Sequence, residues 1–339
     1  MEQKKKVRLS DIAKKLNVST VTVSKALSNK DGVGDDLRTQ IKQLAEEMGY
    51  KIKSQNNIAN GQITGNIGIL IPSKFFSPNF SFYWYIFNFL SKAFLSKNYY
   101  TIMELLSDTD EKSLTAPRML QEQKIDGMIV LGQVSDAYIE AIHAKYDNFI
   151  LLDFYTNNIN LDCVSNDDYY CSYILTSHVI EKGHKKLRFV GNFEATTSIR
   201  DRFMGFQKAI LENNLNSPIE SIIPDRDEKG LEIKIELPSD ADMPTAFICN
   251  CDGTAVKVIN ELEARGYKVP EDVSVTGFDN FLGDEKLNIG LTTVYIKPED
   301  TATVASDLLI NKITGKPYIK GHHLVSGTLL ERESVKDLR

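Results

Sequence analysis

The chain has 339 residues, of which 42% are hydrophobic and 25% charged. At roughly 100–200 residues per domain this makes two or three folding units with cores of their own, so no metal or disulfide staple is needed. The net charge of −6 hides a polarity: residues 1–62 hold 12 Lys/Arg against 7 Asp/Glu, a net of +5, which leaves −11 for residues 63–339. A small basic head on an acidic body points to phosphate contact at one end. No stretch reaches about 18 uninterrupted apolar residues, and the charged start MEQKKKVRLSD has no apolar segment after it, so a cytoplasmic protein with no membrane partner is expected.

In chain order, residues 1–50 read as short helices at Ser10–Leu16, Ser19–Ser28 and Asp35–Met48. Ile12, Ala13, Leu16, Val18, Val23, Ala26 and Leu27 give the first two a shared apolar face. Asn17 stands where the chain must reverse, and Ser19 is a good N-cap for the second helix. That cap leaves Thr20, Val21, Thr22, Ser24 and Lys25 on a short, polar, positive outward face. Such a face suits entry into the major groove, with hydroxyls on phosphates and Lys25 near guanine acceptors. The alternative is a small helical interaction module with solvated hydroxyls.

Residues 51–65, KIKSQNNIANGQITG, are too polar to bury a core and read as a linker or conditional helix. From Asn66 short apolar runs alternate with helical-period stretches: NIGILIP, Ser81–Lys97, YYTIMEL, Leu114–Gln123, DGMIVLG, Asp136–Lys145 and FILLDF. The alternation restarts with Tyr169–Lys182, LRFVGN, Ser198–Asn213, ESIIP, TAFICN, Thr254–Arg265 and VSVTGFD. Two successive α/β units imply two lobes with parallel sheets and a cleft between them. Ligands of open α/β sheets sit at the carboxyl ends of the strands, which makes the ends of TAFICNCD and GFDN candidate ligand positions.

Enzyme chemistry finds no support. The chain lacks a GxSxG elbow, a GxxxxGK[ST] loop, a GxGxxG fingerprint and an HExxH helix, and its five histidines are dispersed. Cys163, Cys171, Cys249 and Cys251 form no CxxC pair and are expected reduced and buried. Neither cofactor nor metal is expected.

The run RLSDIAKKLNVSTVTVSKALS, followed by Gly49-Tyr50 and NIGILIP, resembles the head and core entry of the lactose/galactose repressor family of bacterial transcription regulators. EKGHKKLRFVG, RDRFMGFQKAI, TAFICNCDGTAVKVINELEARGYKVPEDVSVTGFDN and LTTV follow in that family's order and spacing. The resemblance implies an α/β fold: a helix-turn-helix head (1–50), a hinge (51–65) and a two-lobed periplasmic-binding-protein-like core (66–339). Lobe 1 would span about 66–165 and 291–322, and lobe 2 about 166–290 and 323–339. Crossings between lobes are expected near Val164–Asn166, Asn288–Leu291 and His322–Ser326.

By the same resemblance, Thr20, Val21 and Lys25 match base-reading positions, and Ser19, Thr22 and Ser24 match phosphate contacts. The hinge residue that wedges into the minor groove falls on Ala59, with Ile58 one residue earlier, while the family's usual hinge Pro and Arg are absent. In the core, Arg202 and Asp279 match the family's ligand-binding arginine and acid. Cys251 and Asp252 occupy its Asn-Asp motif, and Phe82 and Tyr83 its aromatic pair at the cleft. Without the family order, Arg202 and Asp279 read as a structural ion pair, and most of the aromatic cluster as core or dimer surface. The implied function is a homodimeric repressor of carbohydrate-utilisation genes that binds operator DNA and answers to a sugar or sugar-phosphate effector. A sugar-binding protein without DNA contact, or a regulator under a purine or a protein corepressor, is the alternative.

Overall fold

The computed structural model describes residues 9–27, 32–48, 63–76, 81–216 and 218–339. It divides into two compact units that meet at Ile63/Thr64. The predicted hinge residues Ile58 and Ala59 lie outside the described residues.

The first unit contains α1 (Leu9–Leu16), α2 (Thr20–Leu27) and α3 (Asp35–Glu47). Ile12, Ala13, Val23, Ala26, Leu27, Ile41 and Ala45 form its buried centre, so the 3.6-residue periodicity of the sequence becomes one three-helix core. Asn17 takes a left-handed φ of 50° at the reversal between α1 and α2.

The second unit begins with β1 (Asn66–Pro72), α4 (Phe82–Ser96), β2 (Tyr100–Leu106), the short α5 (Asp108–Lys112) and α6 (Arg118–Gln121), β3 (Gly127–Leu131), α7 (Asp136–His143), β4 (Phe149–Leu152) and β5 (Cys163–Asn166). It continues through α8 (Asp168–Glu181), β6 (Leu187–Val190), α9 (Thr197–Glu212), β7 (Ala246–Cys249), α10 (Asp252–Ala264), β8 (Ser274–Thr276) and β9 (Thr293–Tyr295). It ends with α11 (Pro298–Thr314), β10 (His322–Val325) and β11 (Thr328–Leu330). The helix expected over Leu114–Gln123 is only the single turn α6. A left-handed Leu114, with a φ of 55°, and Pro117 at the N-cap delay its start.

Lobe 1 is a six-stranded sheet in the order β10-β5-β4-β3-β1-β2, parallel throughout. Strand alternation sorts its side chains by face. Ile67, Ile69 and Ile71 pack beneath α4 and α11, while Leu70, Met128 and Val130 pack with Tyr138 and Ile142 of α7 on the other side. Lobe 2 is built on β6-β7-β8, extended by a parallel bridge Thr276–Thr292 into β9, which pairs antiparallel with β11. ESIIP forms no strand of its own; only Ile223 bridges to Val190 at the edge. Helices α8 and α9 cover one face through Leu175, Val179, Phe203 and Phe206, and α10 covers the other.

Two lobe limits differ from those expected. Thr293–Tyr295 remain in lobe 2 because they pair with β11, and Leu291 and Ile296 are buried in its two cores. The crossing therefore falls after Ile296 and not at Asn288–Leu291. Residues 322–325 pair with β5 in lobe 1, so the last crossing comes between Val325 and Thr328.

The close approach of α8 and α9 depends on Gly205. A Cβ there would stand 2.1 Å from the Tyr169 carbonyl oxygen and 2.9 Å from the Tyr173 nitrogen. Both are backbone atoms, so Gly205→Ala can be accommodated only by separating the helices. It is expected to cost about 1–3 kcal/mol or more, read as a lower urea midpoint. A midpoint equal to that of the wild type would show that the helices can part freely.

Candidate functional site

On the head, Ser19 caps α2: its Oγ accepts from the Thr22 N–H at 3.0 Å, with the two hydroxyls 2.8 Å apart. Thr20, Val21, Ser24 and Lys25 are exposed, and Thr22 is half-buried. Val21 is 62% exposed although apolar, and its side chain stands among hydroxyls on the face opposite the head core. No acidic residue occupies the first turn of α2, and Lys25 lies in its last. A positive helix N-terminus with exposed hydroxyls fits phosphate oxygens, and a lone exposed valine fits a thymine methyl. Ser19→Ala is expected to destabilise the head by about 1 kcal/mol through loss of the cap, visible as a lower melting temperature of its helical signal. An unchanged melt would deny the cap any energetic role.

In the core, the two lobes face each other across a cleft of about 640 Å³. Lobe 1 contributes Lys74, Phe75, Phe82, Tyr83 and Asp153, and lobe 2 contributes Ile199, Arg202, Arg226, Asn250, Cys251, Lys257 and Asp279, among others. The strand ends place several of them: Asp153 follows β4, Asn250 follows β7 and Asp279 lies just beyond β8.

Arg202, on α9, is 5% exposed. Its Nε donates to Asp168 at 2.7 Å, its Nη1 to the Asn250 carbonyl at 2.6 Å, and its Nη2 to Asp279 at 3.0 Å. The guanidinium lies 3.9 Å above the centre of the Phe278 ring. Burial opposes its charge, but Asp168, Asp279 and Asp153 more than offset that and hold it protonated. Burial raises Asp168 and Asp279 against the opposing pull of Arg202.

Asp153 is pushed up to about 6, first by burial, with Arg202 and the Tyr83 hydroxyl pulling it down and Asp279 raising it. Tyr83 Oη donates to its Oδ2 at 2.7 Å. Tyr83 itself is raised well above its ordinary value by burial and by Asp153, so it stays a phenol and a donor. Asp153 and Asp279 hold left-handed φ values of 70° and 90°, an uncommon conformation for a carboxylate residue that costs about 1–3 kcal/mol and tends to gather at functional sites.

A second network supports the lobe-2 wall. Asn250 Nδ2 donates to the Val190 carbonyl at 3.0 Å and to Asp225 at 2.8 Å, while Thr254 donates to the same carboxylate at 2.7 Å. Arg226 Nη2 pairs with Asp225 at 2.7 Å. Cys251 is half-buried, unlike Cys163, Cys171 and Cys249, and its Sγ lies 3.2 Å from Thr254 Oγ1 at the cleft surface. Phe82 packs edge-on to Phe281 at 5.5 Å and Tyr83 edge-on to Phe75 at 5.6 Å, giving an apolar margin.

Phe82, Tyr83, Arg202, Cys251 and Asp279 thus meet at one cleft, and Asp252 does not join them. Its carboxylate is 2% exposed and accepts from the Phe281 N–H and the Thr293 hydroxyl, each at 2.7 Å. It pins the turn that presents Asp279. Burial raises it to about 7. Sequence reasoning did not reach Asp153, Asp168 or Arg226 and marked Asn250 only as part of the TAFICNCD strand end; Asp153 carries the same usable signal, its place at the carboxyl end of FILLDF.

The family profile described as "Bacterial regulatory proteins, lacI family" matches residues 8–52, and the one described as "Periplasmic binding protein-like domain" matches residues 176–335. The chain belongs to the lacI family of bacterial regulatory proteins. It is similar to the "HTH-type transcriptional repressor PurR" of Histophilus somni (strain 129Pt), 26% identical over 97% of this chain and 99% of that one. It is also similar to the "NTD biosynthesis operon regulator NtdR" of Bacillus subtilis (strain 168), 27% identical over 96% and 99%. Among solved structures, the "transcriptional regulator CelR-cellobiose complex" superposes with a TM-score of 0.68 at 19% identity, covering 97% of this chain and 99% of that one. As a lacI-family member the chain is a DNA-binding transcriptional repressor with an effector-binding core, not an enzyme. No helix among the described residues is long and apolar enough to cross a membrane.

Proposed function

We propose that this repressor acts in the cytoplasm as a homodimer on a pseudo-palindromic operator and is controlled by a carbohydrate held between the core lobes. The observation that carries the effector reading is the cleft itself. Asp279 offers carboxylate oxygens to vicinal hydroxyls, Arg202 fixes that carboxylate, and Phe82 and Tyr83 supply aromatic surface for the C–H face of a sugar ring. The cellobiose in the CelR structure supports the same class of ligand.

We assign the head to residues 1–50, the hinge to 51–65 and the effector-binding core to 66–339. In the head, Thr20, Val21 and Lys25 read bases while Ser19, Thr22 and Ser24 hold phosphates; Ile58 or Ala59 enters the minor groove. A dimer presents two α2 helices to two half-sites, each of which binds weakly alone. The effector then acts only through its different affinity for the operator-competent and operator-incompetent lobe arrangements.

Lys25→Ala tests the head. Loss of one base contact is expected to reduce the preference for operator over scrambled DNA by about 10–100-fold, measured as a ratio of dissociation constants at fixed salt. A uniform loss on both DNAs would make Lys25 a phosphate contact, and no loss would remove it from the interface. The effector reading is tested by thermal unfolding against neutral sugars, sugar phosphates and purines. A stabilising sugar is expected, and stabilisation by a purine alone would replace the carbohydrate.

A further inference from the structure

The charges lining the cleft are unevenly partnered. Arg202 is engaged by Asp168 and Asp279, Arg226 by Asp225, and Lys257 by Glu232 at 2.6 Å. Each cation that a ligand phosphate or carboxylate would seek on the lobe-2 wall therefore already has a carboxylate partner. Asp153, on the lobe-1 side, is in the opposite condition. Its carboxylate accepts a hydrogen bond from Tyr83 and makes no salt bridge among the described residues, although a carboxylate has about four acceptor positions.

Around Arg202 the balance is negative, with Asp153, Asp168 and Asp279 sharing one guanidinium. Tyr83 and Phe75, packed edge to face beside Asp153, add aromatic surface of the kind that attracts a cation.

We propose that the effector is a carbohydrate bearing a protonated amine, and that the carboxylate of Asp153 is the ammonium-binding group. This deepens the reading of the cleft as the effector site and rests on it. An ammonium supplies the direct ion pair that Asp153 lacks, since Arg202 bridges only Asp168 and Asp279, while hydroxyls of the same ring reach Asp279 on the opposite wall. A sugar phosphate fits less well, because it would set a dianion beside three carboxylates, and the one lining cation with no carboxylate partner among the described residues, Lys74, lies 5.1 Å from the centre of the Phe75 ring.

The test is isothermal titration of the full chain with aminodeoxyglucoses carrying the amine at carbon 2, 3 or 6. Glucose, N-acetylglucosamine and glucose 6-phosphate serve as the matched comparisons. At least one amine is expected to bind about tenfold or more tightly than glucose, as befits one charge-assisted hydrogen bond. Asp153→Asn, which keeps size and an acceptor for Tyr83, is expected to remove that difference. Tyr83→Phe, which keeps the carboxylate, is expected to retain it. Circular dichroism melts establish that each variant is folded.

Equal or tighter binding of glucose or glucose 6-phosphate would overturn the amine while leaving the cleft as the effector site. An amine preference that persists in folded Asp153→Asn would overturn the role of Asp153. Absence of binding by every carbohydrate would overturn both the amine and the carbohydrate reading beneath it.

Discussion

Arg202→Met is expected to lower the stability of the core by about 3–5 kcal/mol, the usual cost of leaving buried charges without their partner. Asp168 and Asp279 are both within 3.0 Å of the guanidinium, and Asp168 is only 3% exposed. Methionine fills the volume over Phe278 but returns none of the four hydrogen bonds that Arg202 donates. At about 2–4 °C per kcal/mol for a unit of this size, the melting temperature should fall by roughly 10 °C. The sign of the pH dependence is fixed. Without Arg202 the carboxylates bind protons more tightly folded than unfolded, so the variant regains stability as pH falls. Urea titrations near pH 8 and pH 5 measure this, and a loss below about 1 kcal/mol at both would show that the arginine is not what holds the carboxylates in place.

Asp153→Asn is expected to act in the opposite direction on the ligand-free protein. A carboxyl raised from 3.8 to about 6 by burial prefers its proton in the folded state. Its contribution is favourable at low pH and is lost as pH rises from the unfolded value through the folded one, an effect of up to about 3 kcal/mol. Asparagine carries no charge to bury and still accepts from Tyr83. The variant should therefore melt higher than wild type near pH 7.5 and equal to it near pH 4. The other groups facing position 153 are Tyr83 from α4, Asp168 from α8, Arg202 from α9 and Asp279 beyond β8, and all four remain in the comparison. Identical melts at both pH values would mean that the Asp153 charge is already well solvated. The residue whose burial costs stability is the same one that offers a ligand a carboxylate without a salt bridge, a common arrangement at binding sites.

How much of this the sequence makes legible depends on which force sets each feature. The head is legible because its apolar spacing and the Ser19 cap are local, and the structure realises them as a single core with an exposed polar face on α2. Strands β1, β3, β4 and β7 stand out as apolar runs because a parallel sheet buries both of their faces. Strand β5, CVSN, is equally buried but carries Ser165 and Asn166, so no apolar run marks it. Its partner β10 comes from near the other end of the chain.

The cleft is legible at Arg202 and Asp279 through resemblance, yet Asp252 shows the limit of that route. An acid at the start of α10 can turn towards the ligand or towards the backbone, and only the Phe281 N–H and the Thr293 hydroxyl decide between them. Arg226 and Asp225 lie in PDRDEKG, a stretch with the composition of a surface loop. Their importance comes from Asn250 and Thr254, which converge on Asp225 from beyond β7. Asp168 likewise becomes part of the site only because Gly205 lets α8 and α9 touch.

Control of the head's grip on a specific DNA sequence by occupancy of the cleft is measurable on DNA itself. The full chain is used to select its preferred duplex from a random library, and the affinity for that duplex is then titrated by fluorescence anisotropy with and without each carbohydrate. An enriched pseudo-palindrome is expected, with a dissociation constant that changes by about fivefold or more with a sugar that binds the core. Selection without an enriched sequence, or an affinity indifferent to a sugar shown to occupy the core, would contradict that control.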